Sequence, residues 1–141
     1  MRCLFFHVKE YFAKVTTLAN RPEGIKPEPV TEESQHVQNA IVAFVTVESG
    51  DQIDWAKRCI KDILKFVEET GEKNIVIAPF AHLSSHLATS DEALSVLQAI
   101  EDGLKKQDII RVVRSHFGSD KELLIHLFGH KGNARFREYI D

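Results

Sequence analysis

The sequence is poor in the residues that build the simplest chemical centres. It has two cysteines in 141 residues, Cys3 and Cys59, far apart and without a CxxC spacing. That argues against a disulfide framework or a zinc–thiolate site and for reduced thiols. No apolar run approaches the length of a membrane span. The opening residues, Met1-Arg2-Cys3-Leu4-Phe5-Phe6-His7, turn from basic to apolar, but the apolar part is too short for a secretory signal. They read as a first strand, and the protein as cytoplasmic. The net charge of −3 argues against strong autonomous binding to nucleic acid. The charge is uneven, because Leu104–Asp141 carries eight Lys/Arg against five Asp/Glu. No internal repeat, low-complexity segment or shift of composition divides the chain, so one domain spanning 1–141 is expected.

What is present is the composition of a soluble globular α/β protein, 43% hydrophobic and 28% charged. The chain is organised around Asn74–Ala88. Ile75-Val76-Ile77-Ala78 suits a strand buried on both faces, and Pro79 should end it. Phe80-Ala81-His82-Leu83-Ser84-Ser85 then leave its carboxyl end, where open α/β sheets place ligands. Ala40–Val47 is a second buried strand. Cys3–His7 and Tyr11–Thr17 read as a short-linked, antiparallel pair, so the sheet is mixed. Arg21–Glu33, with Pro22, Gly24, Pro27 and Pro29, is a loop. Ser49-Gly50-Asp51 is a turn. Asp51–Thr70 keeps helical spacing, with Gly71 suited to end it. Thr89-Ser90-Asp91-Glu92 is a capping box for a helix reaching about Lys106, with Leu94, Leu97, Ile100 and Leu104 inward. Ile110–Phe117 and Glu122–Phe128 are strand candidates joined by Gly118-Ser119-Asp120-Lys121. In the second of them Leu123, Ile125 and Leu127 alternate with Glu122, Leu124 and His126. The tail Gly129–Asp141 is polar and weakly helical at best.

Several groups could carry chemistry. His82 and His86 stand four apart, as metal pairs on helices do, but the zincin pattern needs Glu where Leu83 stands. No metal or cofactor is expected, and His86 reads as a surface helix residue. His82 is either a catalytic or substrate-orienting group or a packed histidine. Ser84 and Ser85 lack a G-x-S-x-G elbow and suit helix capping. Lys121 begins a strand after a turn. It could hold an anionic or polar group, though by sequence alone a solvated turn charge is the favoured reading, and Asp120 is a salt-bridge partner or a turn residue. His126 and His130 lie in the more basic last third and could touch RNA or be solvated. Trp55 and the phenylalanines are not interleaved with Lys/Arg and read as core or interface.

Five segments together resemble the N-terminal editing domain of archaeal threonyl-tRNA synthetase, a relative of the D-aminoacyl-tRNA deacylases. They are Met1–His7, Lys26–Val30 (K-P-E-P-V), Val42–Glu48, Ala78–Ser85 (A-P-F-A-H-L-S-S) and Phe117–Lys121 (F-G-S-D-K). The resemblance implies a D-aminoacyl-tRNA deacylase-like fold and a homodimer. It implies hydrolysis of L-serine wrongly attached to threonine tRNA, by water assisted by the tRNA's terminal 2′-hydroxyl. Catalytic and anticodon-binding domains of the synthetase would act in cis or in trans. His82 and Lys121 match the family's histidine and lysine. Backbone around Val47, Phe80 and Ala81 would hold the aminoacyl group, with Glu48 and Asp120 beside it. Asp120 stands where the family often has Tyr, and Ala134 where it often has Glu, with Glu138 the nearest acid. A D-aminoacyl-tRNA deacylase, and a non-catalytic regulatory module that binds an amino acid or nucleotide, are the alternatives.

Overall fold

The computed structural model describes residues 1–108 and 110–140. Six strands form one sheet, with two helices crossing between its parallel members. Strand β1 (Arg2–Leu18) pairs antiparallel with β2 (Ser34–Thr46). From β2 the chain passes through α1 (Trp55–Thr70) to β3 (Asn74–Pro79), then through α2 (Ser90–Lys105) to β4 (Arg111–Arg114). Strands β2, β3 and β4 are mutually parallel, and each crossover is a helix. The other edge of β1 is filled in tandem by β5 (Ser119–Leu127) and β6 (Ala134–Glu138), both antiparallel to it.

Burial follows the alternation of the strands. Ile75 and Ile77 join Phe5, Ile41 and Ala43 against Ile63 and Phe66 of α1 and Leu97 and Ile100 of α2. Val76 and Ala78 point to the opposite face, with Val42, Phe44 and Tyr11. Both faces of β3 are therefore covered, which is why its sequence is a continuous apolar run. Each fully buried aliphatic side chain here contributes about 1.5–3 kcal/mol relative to an exposed one. Gly71 ends α1 at φ 75°, its N–H reaching Val67 O at 2.8 Å. Thr89 caps α2 by accepting from Glu92 N–H. Leu97, Ile100 and Leu104 are buried as expected, with Ala93 and Val96, while Leu94 is half-buried.

Several expectations are corrected. Cys3–His7 and Tyr11–Thr17 are not two strands but parts of β1. Val8-Lys9-Glu10 contains no turn former, and an irregularity between Val8 and Glu10 absorbs the change in which side chains face inward. β2 begins six residues before Ala40, because β1 continues far enough to pair with Ser34. α1 starts at Trp55 rather than Asp51. The Asp51 carboxylate instead accepts from Glu48 N–H at 2.6 Å and from the Met1 ammonium at 2.7 Å. Ser119, Asp120 and Lys121 are not a turn but the start of β5, and β4 and β5 lie on opposite sides of the sheet.

The tail is the largest correction. It forms β6, with Leu4 opposite Phe136 and Phe5 opposite Arg135, and Tyr139 is 2% exposed. Its last residue, Asp141, lies outside the described residues. The segment is polar because Arg135 lies over the Phe66 ring at 3.9 Å and pairs with Glu69, so its charges cover core instead of seeking a helix. Tyr139→Ala is expected to cost about 3–5 kcal/mol, and Tyr139→Phe, which loses the 2.7 Å bond to Asp62, about 1 kcal/mol. Urea denaturation measures both. An alanine cost below about 1 kcal/mol would show that the tail is not part of the core.

Candidate active site

Beyond the carboxyl ends of β2 and β3 lies a pocket of about 400 Å³. Its first wall is the segment after β3. Phe80 N–H donates to Val45 O at 2.9 Å, and the Thr46 hydroxyl donates to Phe80 O. The loop that follows is fixed at several points. Arg2 Nη1 donates to Leu83 O at 3.0 Å, the Ser84 hydroxyl to Glu48 Oε2 at 2.6 Å, and Ala88 N–H to Val47 O at 3.1 Å. Among the described residues the Ala81 N–H takes part in no hydrogen bond. Phe44, Phe80 and His82 form a chain of edge-on rings, with centroids 5.0 and 4.8 Å apart. His82 is exposed at the pocket's rim.

The second wall is the crossing from β4 to β5, held down by the proline-rich loop. Glu28 receives a bidentate pair from Arg114 at 2.7 and 3.0 Å, and Phe117 N–H at 2.7 Å. Burial opposes ionisation of Glu28, but these donors outweigh it and hold its carboxyl below the usual range. Arg114 also donates to Glu101 of α2 at 2.8 Å, tying the wall to the helix. Gly118 has φ +91°, and a Cβ there would lie 2.6 Å from Pro27 Cα, so both the turn and the close approach require glycine.

On this wall Ser119, Lys121 and Leu123 line the pocket from one face of β5. Burial lowers the Lys121 ammonium from the ordinary lysine range, with the charges of Asp120 and Glu28 pulling the other way. Among the described residues the Lys121 Nζ has only Ser119 O, at 3.4 Å, as a partner. The carboxylate of Asp120 turns back to the Thr17 hydroxyl at 2.9 Å, so it is neither a turn residue nor an ion-pair partner. The floor is Tyr11 and Ser115. Ser115 donates to Gln35 Oε1 at 2.9 Å, leaving its oxygen to accept from the Tyr11 hydroxyl at 2.5 Å.

Of the residues expected from sequence, Val47, Phe80, Ala81, His82, Asp120 and Lys121 line this one pocket. Glu48 does not. Its carboxylate accepts from the Met1 ammonium at 3.0 Å and from Ser84, and burial is outweighed by these contacts, which lower its pKa. Ala134 and Glu138 are in β6, where Glu138 meets Arg2 at 2.9 Å. Ser84 and Ser85 are not helix caps and His86 is not on a helix, because α2 starts later and Thr89 caps it. Instead Ser84 accepts from His86 N–H at 3.0 Å. His130 meets His7 at 2.6 Å, on another part of the molecule. Tyr11, Ser115 and His116 carry no motif that sequence reasoning could seize on, while Glu28 and Ser119 fall within the K-P-E-P-V and F-G-S-D-K segments without being singled out. The glycine at 118 marks a close approach of two segments.

Comparison with known proteins now bears on the site. The family model for the archaea-specific editing domain of threonyl-tRNA synthetase matches residues 1–138. The chain belongs to this family. It is 35% identical over 130 residues to the threonine–tRNA ligase editing subunit of Saccharolobus solfataricus, covering 92% of this chain and 32% of that protein. It is 32% identical over 132 residues to the threonine–tRNA ligase of Staphylothermus marinus, covering 92% and 21%. For the Hyperthermus butylicus ligase the values are 35% over 144 residues, 99% and 23%. The chain thus spans between a fifth and a third of the length of these relatives. Among solved structures, the c-Myc DNA unwinding element binding protein superposes with a TM-score of 0.72 over 100% of both chains at 11% identity. That likeness shows the fold alone, a single-domain mixed sheet with two helices of the D-aminoacyl-tRNA deacylase-like class.

Because its folded carboxyl is lowered, Glu28 contributes stability that is full above the ordinary carboxylate value of 4.5 and lost as pH falls through the folded value. Glu28→Gln should cost about 1–3 kcal/mol near neutral pH, and the gap to wild type should close in acid. Denaturation over a pH series checks this. A gap that did not change with pH would contradict it.

Proposed function

We propose that the domain hydrolyses L-seryl-tRNA(Thr), removing serine wrongly attached by a threonyl-tRNA synthetase. The observation that carries the reading is the convergence of Val47, Phe80, Ala81, His82 and Lys121, from distant parts of the chain, on one pocket. Its size suits the aminoacylated end of a tRNA. Serine and threonine differ by a methyl, which a synthetic site resolves by only about 1–3 kcal/mol, so a second, hydrolytic site is needed. Here the threonine methyl would meet backbone at Val47 and Phe80-Ala81, where Phe80 is held through both its N–H and its carbonyl and Val47 through its carbonyl. Water, oriented with help from the tRNA's 2′-hydroxyl, attacks the ester, while Lys121 faces the negative charge that develops on its carbonyl oxygen. His82 orients the terminal nucleotide at the rim. The domain acts in the cytoplasm on the tRNA's 3′ end and leaves most phosphate contacts to catalytic and anticodon-binding domains supplied in cis or in trans. A net charge of −3 suits that division.

The domain also acts as a homodimer. Supporting this, Phe136 is 51% exposed beside half-buried Leu4 and Phe6, an apolar surface on strands β1 and β6. Sedimentation at micromolar concentration is expected to give a dimer that Phe136→Asp splits, and a wild-type monomer would refute it.

First-order decay of both esters under enzyme excess tests the main reading. Seryl-tRNA(Thr) should be cleaved and threonyl-tRNA(Thr) spared, and equal decay would refute proofreading. Lys121→Met should slow serine release at least about tenfold by lost positioning and charge. It should not lower thermal stability, since the variant no longer buries an ammonium. A fall of less than about threefold would make Lys121 a bystander.

A further inference from the structure

Glu48 and Ser84 do not line the pocket, and they meet each other. The Ser84 hydroxyl donates to Glu48 Oε2 at 2.6 Å, the length of a hydrogen bond to an ionised carboxylate. The same serine oxygen accepts from His86 N–H at 3.0 Å. Ser85 is exposed, and among the described residues its hydroxyl meets only the His86 ring, at 3.1 Å. The glutamate is fixed in its turn. Its Oε1 accepts from the Met1 ammonium at 3.0 Å, Arg2 Nε lies 3.6 Å from the same oxygen, and its N–H donates to Asp51 at 2.6 Å. Burial opposes ionisation of Glu48, but the Ser84 hydroxyl and the ammonium outweigh it, so Ser84 meets a carboxylate at neutral pH.

These contacts bear on the pocket wall. Ala81 and His82 line the pocket between two anchors. On one side Phe80 is tied to β2 through its N–H and its carbonyl. On the other, Leu83 O accepts from Arg2 at 3.0 Å and Ser84 is tied to Glu48. Arg2 itself rests between Glu48 and Glu138, so both bonds of the second anchor depend on the Glu48 carboxylate. Beyond them Ser49 N–H donates to His86 O at 2.8 Å, and Glu48 and Leu87 form a single antiparallel bridge. A span of two residues pinned at both ends cannot follow a ligand that presses on it. Freed at one end, it can.

From this geometry we infer that Glu48 is a positioning residue that sets the specificity of the proposed editing site, acting through Ser84 on the Ala81-His82 span. Neither residue takes part in the chemistry. Serine fits without moving the wall, whereas the extra methyl of threonine must push it outward. With Ser84 pinned, the span holds and the threonyl ester stays displaced from the attacking water. With Ser84 released, Ala81 gives way and the threonyl ester comes into line. The pair therefore governs the difference between the two esters more than the rate of serine release.

This inference rests on the editing reading, and wild type is measured first to separate the two. Decay of seryl- and threonyl-tRNA(Thr) is followed for wild type, Ser84→Ala, Ser84→Thr, Ser85→Ala, Glu48→Gln and the Ser84→Ala/Glu48→Gln double variant, with melting as a control of fold. Ser84→Ala should lower the ratio of seryl to threonyl rates at least about fivefold, part of the roughly hundredfold that a displacement of about 1 Å commands. Ser84→Thr, which keeps the hydroxyl, should restore most of the ratio, and Ser85→Ala should leave it within about twofold of wild type. Glu48→Gln should lower it too, and the double variant should fall no further than the lower single one, because both act through one hydrogen bond. Ser84 is half-buried in a loop, so its variants decide the matter even if the glutamine variant does not fold. A Ser84→Ala ratio within about twofold of wild type, whatever its melting, would overturn the inference and leave the editing reading standing. Single effects that multiply in the double variant would overturn the action of Glu48 through Ser84. A wild type that releases no serine, or cleaves both esters equally, would overturn the editing reading and this inference with it.

Discussion

Seventeen residues of extended chain, Arg2–Leu18, carry the pairing of three other strands, and the candidate site depends on that continuity. The first half of β1 is sealed between β2 and β6. The second half runs past the helix-covered part of the sheet and pairs with β5, placing Val15 opposite Lys121 and Leu18 opposite Ser119. It also carries Tyr11, buried on the pocket floor. Were β1 two short strands joined by a turn, nothing would hold β5 on the side of the sheet away from β4. The lysine would then not stand across from the Phe80-Ala81 wall.

The two walls are held in different ways. The Phe80-Ala81 wall is fixed to β2 by uncharged hydrogen bonds from backbone and hydroxyl groups. The wall opposite is fixed by the Glu28–Arg114–Glu101 ion pairs, whose side chains are 12–17% exposed. Pairs this shielded from water cannot lose one member cheaply, because the remaining charge is left buried. The outcome is a pocket lined by Arg21, Asp120 and Lys121, while the Glu28–Arg114–Glu101 charges that position its wall sit behind the surface. Such a pocket suits an ester, in which negative charge appears only as the reaction proceeds.

How much of this was legible in the sequence depends on the range of the interactions. The parallel strands β2 and β3, the end of α1 at Gly71 and the Thr89 cap follow from local periodicity and turn chemistry, and were read from it. The single long β1 was missed because its irregularity near Lys9 shifts the alternation and mimics a break. β6 was missed because its arginines cover Phe66 and meet Glu69, so a polar pattern conceals a buried strand. In the site, the residues around Pro79 were legible from the rule that ligands bind beyond strand ends. Lys121 gained a reason only through resemblance. Ser119, His116 and Glu28 come together across 88 or more residues of chain for the glutamate, by contacts that leave no spacing in the sequence.

The central claim is that this pocket receives the aminoacyl end and excludes threonine by backbone shape. Its most direct test is binding of a hydrolysis-resistant analogue, seryl-adenosine with an amide in place of the ester, followed by backbone and Lys side-chain NMR and by a crystal structure. The account predicts shifts confined to Val47, Phe80-Ala81, His82 and the Ser119–Lys121 strand, with the serine methylene against the Val47 and Ala81 backbone. The threonyl analogue should bind more weakly or with its carbonyl displaced from Lys121. Binding of both analogues in the same pose, or of the seryl analogue outside this pocket, would contradict it.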